Sequence, residues 1–423
     1  MLEALVQRLH DEPHELIRLQ CSPYHATSAL YPVIQRLSRV AGLTASDDVE
    51  VRAEKLERLV ALYGEELAEV GPVYAELLSL DLGDRFNPID LPAQQRKEHT
   101  VRTLANRAFL AAKRAPVLLV IEDAHWIDPS PNEFLGEIVS RIHAVPIYVV
   151  VTHRPDWSAD WAGGHAHVTN VAIGPLTKQQ MRQLIESMLG SVSDRLVDRI
   201  AERTDGVPLF VEELTRSILE SGTNTHENIE IPDSLQGSLM ARLDRLPASS
   251  KEVAQVASVI GREFDRSLLA EVVALSGSAL DDALRKLLAA QLVVISGMSH
   301  QTLLFRHALI QDTAYQSLLS RKRRQYHQAI ADTIVKSHPD IVATQPELVA
   351  RHYTDAQRAD LALPYWKKAG ERALERSANY EAVDHFSNVL AIVEGLPDGP
   401  DRDRQMLAAR PARVAWRRRP DAI

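Results

Sequence analysis

Two adjacent acids, Glu122 and Asp123, close an apolar run in the stretch "PVLLVIEDAHWIDPS", Pro116 to Ser130. Such a run reads as a buried parallel strand that delivers carboxylates at its C-terminal end. Hard oxygen donors of this kind suit a magnesium ion, and a second acid beside the first orients an attacking water. The implied chemistry is that of a nucleoside triphosphatase, with Glu122 on magnesium and Asp123 as the catalytic acid. That chemistry also needs a grip on the phosphates. The usual one is Gly-x4-Gly-Lys-[Ser/Thr], whose backbone amides wrap the phosphates while the lysine and hydroxyl reach the terminal phosphates and the metal. None of the 18 glycines is followed by lysine, so the sequence lacks this loop. His125 is a weaker choice of base, since the acids fill that role; with Trp126 it is expected to pack the strand end. Asp128, before Pro129, reads as a turn residue or helix cap. No Gly-x-Ser-x-Gly or His-Glu-x-x-His pattern occurs.

The elements that must position these acids follow from hydrophobic periodicity. Strands are predicted at 14–21, 116–123, 145–154 and 167–176, with helices between them at 96–113 and 130–143, and a mostly helical 31–80 covers one face. Strand alternating with helix implies a parallel α/β sheet. The predicted organisation is an α/β core over 1–176, a helical lid over 177–232, a winged-helix-like domain over 233–320, helical repeats over 321–397 and a basic tail over 398–423. Thr177 caps the first lid helix and the second ends on a turn at Asp205-Gly206. The polar stretch 221–234 reads as a linker. "LVVISGMSHQTLLF" reads as two short strands around a turn. Trp366, Gly370, Ala382 and Phe386 sit at the offsets of a tetratricopeptide repeat, where small residues let two helices approach and aromatics fill the groove. The tail crowds Arg410, Arg413, Arg417, Arg418 and Arg419 without apolar periodicity; it is expected to be disordered and has the look of a reading-frame break.

Bulk properties narrow the class. The 423 residues are 45% hydrophobic and 25% charged, with net charge −9, which gives no general reason to expect nucleic-acid binding. The single cysteine, Cys21, excludes an intrachain disulfide and suits a reducing cytoplasm. The longest apolar runs are too short to span a bilayer.

Several stretches taken in order carry a family likeness: "LQCSPYHATSALYPVIQRL", "VLLVIEDAHWIDPS", "VVVTHRPDW", "TDGVPLFVEELTRSILESG", "LMARLDRLP", "VIGREF" and "FRHALIQDTAYQSLL". Over about residues 1–395 the chain resembles the signal-transduction ATPases with numerous domains, nearest to the ATPase modules of bacterial proteins similar to soluble adenylyl and guanylyl cyclases. The resemblance implies a P-loop-type α/β fold, a lid, a winged helix and repeats, with ATP or ADP and magnesium as ligands of the intact relative. It assigns Glu122 and Asp123 to the Walker B acids and Arg154 to the sensor arginine that feels the terminal phosphate. Pro208 of Gly206-Val207-Pro208 is assigned to the G-x-P proline near the adenine. His307 matches the histidine that touches the ADP β-phosphate, although Arg306 and Ala308 replace its usual Met and Asp neighbours.

In relatives the phosphate loop lies directly before the residues matching "MLEALVQRLHDEPH". The chain is therefore expected to lack that strand and loop, to bind nucleotide weakly by itself and not to hydrolyse it. A sheet order of 5-1-4-3-2 without its central strand would leave 145–151 with an open edge, or draw 167–176 onto it. The resemblance implies a switch that controls an output domain and takes a signal or protein partner through its repeats. A LuxR-type transcriptional regulator and a scaffold that binds no nucleotide are the alternatives. Helix "SALDDALRKLLAAQ" balances Asp281 and Asp282 against Arg285 and Lys286, which argues against DNA contact.

Overall fold

A computed structural model describes residues 2–22, 28–44, 47–80, 82, 85, 89–127, 129–163, 165–220, 234–296, 302–376, 378–395 and 402. The described residues fall into two compact units, Met1–Thr169 with Ile334–Ile423, and Asn170–Thr333.

The first unit begins with helix α1 (Leu2–Arg8) and strand β1 (Glu15–Gln20). Helices α2 (Tyr31–Ala41), α3 (Val49–Ala61), α4 (Leu67–Leu77) and α5 (Ala93–Arg114) follow. Then come β2 (Val117–Glu122), α6 (Pro129–Arg141) and β3 (Ile147–Val151). The three strands form one parallel sheet in the order β1-β2-β3, with Gln20 beside Glu122 and Ile121 beside Val151. Val117 to Ile121 are buried on both faces, as an unbroken apolar run in a helix-covered parallel sheet requires. Helices α2 to α6 supply the rest of that core, through Leu56, Tyr74, Ala105, Leu135 and Ile138.

Three of the four predicted strands form. The fourth does not: 167–176 is irregular, and Val171 and Ile173 remain 74% and 71% exposed. Its alternating pattern suits a strand, but among the described residues it joins no ladder, so pairing and burial give it no reason to extend. Strand β3 pairs only with β2 among the described residues, and its Tyr148 is 66% exposed.

The second unit opens with α7 (Lys178–Leu189), α8 (Asp194–Thr204) and α9 (Pro208–Glu220). A capping box of Thr177 and Gln180 starts α7. Asp205 in the left-handed region ends α8, and Gly206 follows at φ 72°. A Cβ on Gly206 would stand 2.5 Å from the Leu176 carbonyl oxygen, so only glycine fits. Next come α10 (Leu235–Asp244), α11 (Ala248–Ile260), β4 (Glu263–Asp265), α12 (Arg266–Val272), α13 (Gly277–Ala289), β5 (Val293–Ser296), β6 (Thr302–Phe305) and α14 (Ala308–Gln316). The expected hairpin is β5 with β6, and β4 adds a third antiparallel strand on the far side of β6. The linker break, the turn at 297–300, Asp128 and the arginines of the tail lie outside the described residues.

Helix α15 (Ser320–Ser337) runs across the boundary. It is followed in the first unit by α16 (Pro339–Thr344), α17 (Pro346–Asp355), α18 (Ala359–Glu375) and α19 (Asn379–Glu394). The four residues read as a repeat signature lie on α18 and α19. Trp366, Gly370, Ala382 and Phe386 are all buried, and Trp366 Nε1 donates to Thr354 Oγ1 at 3.0 Å. A Cβ on Gly370 would lie 2.7 Å from the Phe386 ring, which explains the glycine.

Candidate functional site

Strand β2 ends where its ladder stops. Thr152 N donates to the Ile121 carbonyl at 2.9 Å, and Ala124 N donates to the Thr152 carbonyl at 2.8 Å. Between them Asp123 takes left-handed backbone angles, φ 58° and ψ 43°, a conformation that Asp tolerates better than most residues. Its amide donates to Thr152 Oγ1 at 3.1 Å, and the Trp126 amide donates to its carbonyl at 2.9 Å. The chain thus turns sharply after Glu122 and leaves both acids at the C-terminal end of the central strand. Ligands of open α/β sheets bind at that end.

Both carboxylates have neighbours from β1. Arg18 pairs with Glu122, and Gln20 Nε2 donates to Asp123 Oδ2 at 3.3 Å. Neither partner was singled out in the sequence. The signal was there in principle, because parallel register sets the polar end of β1 beside the end of β2. As donors, two adjacent carboxylates fit magnesium in type but not in number. Such an ion would draw its remaining ligands from phosphate and water oxygens, and Arg18 would have to release Glu122. Among the described residues no group of three or more His, Cys, Asp or Glu is disposed to hold a metal.

Arg154 follows β3, and its guanidinium lies 5.4 Å from the centre of the Trp126 ring. Trp126 packs on the sheet core, as expected, and its ring lies 4.3 Å from that of His125. Neither buried ring nitrogen of His125 has a hydrogen-bond partner. Burial, and then the charge of Arg154, lower its pKa below the ordinary 6.5, against opposing pulls from Asp123 and Asp156.

Glu122, Asp123 and Arg154 belong to the first unit; Pro208 and His307 belong to the second. Pro208 is exposed at the start of α9, next to Val207, which is 47% exposed. His307 sits at the N-terminus of α14, half-buried, with Nε2 unpartnered. Burial is the main cause that lowers its pKa; Arg306, Arg262 and Arg216 add to it, and Glu212 opposes. Arg306, which replaces the expected Met, donates to Glu212 at 3.1 Å and to Gln291 at 2.7 Å. On α13, Asp281 pairs with Arg266, and Asp282 with Arg285 and Lys286, so these cations are already matched.

No family model matches the chain. It is similar to an uncharacterized protein of Rhizobium meliloti (strain 1021), 27% identical over 413 residues, which span 92% of this chain and 39% of that protein. The chain thus spans about two-fifths of the curated relative it matches. Among solved structures it is similar to a signal-transduction ATPase with numerous domains and a tetratricopeptide repeat sensor from Pyrococcus horikoshii. That likeness has 12% identity and a TM-score of 0.46, covering 98% of this chain and 58% of that one. A Walker-type ATPase of Pyrococcus abyssi is similar at 12% identity and a TM-score of 0.22, over 74% of this chain and 93% of that one. Among the described residues no helix is long and apolar enough to cross a membrane.

Proposed function

We propose that the chain is the acid-bearing part of a nucleotide-dependent signalling ATPase module, the kind of regulatory part found beside a class III cyclase-like output domain. The observation that carries this reading is the pair of carboxylates at the C-terminal end of the central parallel strand, fixed there by a left-handed Asp123. In this reading Glu122 holds the magnesium that arrives with ATP, Asp123 orients water, and Arg154 faces the charge that builds on the phosphoryl oxygens. On the second unit, the family resemblance assigns Pro208 to the base and His307 to the diphosphate. The helices from α16 to α19 receive a signal or partner. The matched charges of α13 favour this internal switching role over contact with DNA. Because the sequence holds no glycine-rich phosphate loop, the reading requires another segment to supply that grip.

Phosphate release by a protein that joins this chain to such a loop tests the assignment. Asp123→Asn should lower kcat with little change in KM, while Glu122→Gln should raise the magnesium requirement. Unchanged turnover in both variants would refute the assignment.

A further inference from the structure

A cavity of about 360 Å³ lies within the first unit, walled by α2, the C-terminal end of α4 and the helices from α16 to α19. Arg372 and Arg376 enter it from the last turn of α18 and the residue that ends it, and they converge on one hydroxyl. Both donate to Ser79 Oγ, Arg376 at 3.1 Å. Arg376 also donates to the carbonyls of Glu76 at 3.0 Å and Leu77 at 3.3 Å, and Arg372 to that of Ala343 at 2.7 Å. Carbonyls at the end of α4 offer only partial negative charge, about half an elementary charge for a whole helix end. Neither arginine forms an ion pair among the described residues. Burial, then the charge of Arg372, lowers the pKa of Arg376 to about 10.

Glu347, the acid whose charge acts most on both, is a poor counter-charge. It is 8% exposed, accepts a hydrogen bond from Ser28 Oγ at 2.6 Å, and is pushed upward by burial. Gln35 and Asp340 also line the space, and Asp340 Oδ1 is buried with no partner. Two guanidiniums that form no ion pair among the described residues thus share a cavity with amide and carboxyl groups suited to accepting from hydroxyls.

We propose that this cavity binds a small phosphate monoester that carries hydroxyl groups, with the phosphate on Arg372 and Arg376 and the hydroxyls on Gln35, Asp340 and Glu347. A monocarboxylate would leave one guanidinium unmatched, whereas a phosphate monoester carries about −1.5 to −2 near neutrality. Guanidinium forks suit phosphate oxygens. The volume falls within the roughly 300–1,000 Å³ of small-molecule sites, which leaves room for an organic body beyond the phosphate. The site is separate from the acids of β2 and does not depend on the ATPase reading.

Thermal-shift and calorimetric titrations of the whole chain test it, with glucose 6-phosphate, ribose 5-phosphate and glycerol 3-phosphate as probes. Glucose, inorganic phosphate and sodium chloride of matched ionic strength are the comparisons. At least one ester should give a saturable rise in melting temperature, larger than inorganic phosphate gives, with none from glucose or salt. Arg372→Gln should weaken that binding at least tenfold, and Arg372→Lys should restore part of it. Gln35→Ala, on the α2 lining, should weaken it several-fold and serves if Arg372→Gln does not fold. The proposal is overturned by no saturable response to any ester, by inorganic phosphate binding as tightly as the best ester, or by full binding in folded Arg372→Gln.

Discussion

Gly370 and Phe386 form a pair whose fit can be challenged from both sides. Phe386 is wholly buried between α18 and α19, and a methyl placed on Gly370 would stand 2.7, 2.8 and 2.9 Å from three of its ring carbons. Helix propensity alone favours Gly370→Ala by about 1 kcal/mol. Overpacking of a filled core costs about 1–3 kcal/mol. The ring is enclosed, so the second effect should win and Gly370→Ala should destabilise the hairpin. Phe386→Ala removes the ring and should cost about 3–5 kcal/mol. Gly370→Ala in the Phe386→Leu background should then be neutral or stabilising, because the smaller side chain leaves room for the methyl. Hydrogen exchange of the α18 and α19 amides is the suitable readout, since a chain of two units need not melt in one step. If Gly370→Ala stabilises the wild type as much as it does the Phe386→Leu variant, the two residues do not touch and the reasoning fails.

Other consequences can be measured in the same way. The Glu213–Arg242 ion pair is 1% and 2% exposed, so Glu213→Ala should cost about 3–5 kcal/mol by stranding a buried cation, measured as lost exchange protection in α9 and α10. His307 has its folded pKa below 6.5, so the unfolded state binds more protons through that window and stability falls on acidification below about pH 6.5. The loss of stability between pH 7.5 and 5.5 should shrink in His307→Asn, and an NMR titration of the ring at or above 6.5 would contradict this. Among the described residues β3 has no pairing partner on its outer edge and Tyr148 is exposed, so the chain should self-associate and Tyr148→Lys should reduce this in light scattering. A monomeric wild type with a cooperative melt would count against it.

Legibility in the sequence followed the range of the interactions. Val117–Ile121 announced itself as a buried strand because helices cover both faces of a parallel sheet, and Thr177 and Asp205-Gly206 punctuated their helices through local chemistry. Strand β4 was missed because Glu263–Asp265 is three residues long and carries no periodic run. The segment 167–176 was misread because alternation reports a capacity for pairing, not the presence of a partner. Around the acids, sequence order offered Glu122, Asp123, His125 and Trp126 but not Arg18 and Gln20, which reach them through sheet register. The meeting of Arg372 and Arg376 at Ser79 spans nearly three hundred residues, and no local pattern encodes it.

The central claim is that the acids of β2 belong to a nucleotide site whose phosphate grip is absent from this sequence. Titration calorimetry of the chain with ATP and magnesium tests it most directly. The loop would contribute several charge-assisted hydrogen bonds, each worth about 1.5–3 kcal/mol, and their absence moves a micromolar affinity beyond detection. The account predicts no measurable heat of binding for the chain alone, and binding in the same assay once it is joined to a segment carrying a glycine-rich loop. Micromolar binding by the chain alone, abolished by Glu122→Gln or Arg154→Ala, would contradict the account and place the grip within these residues.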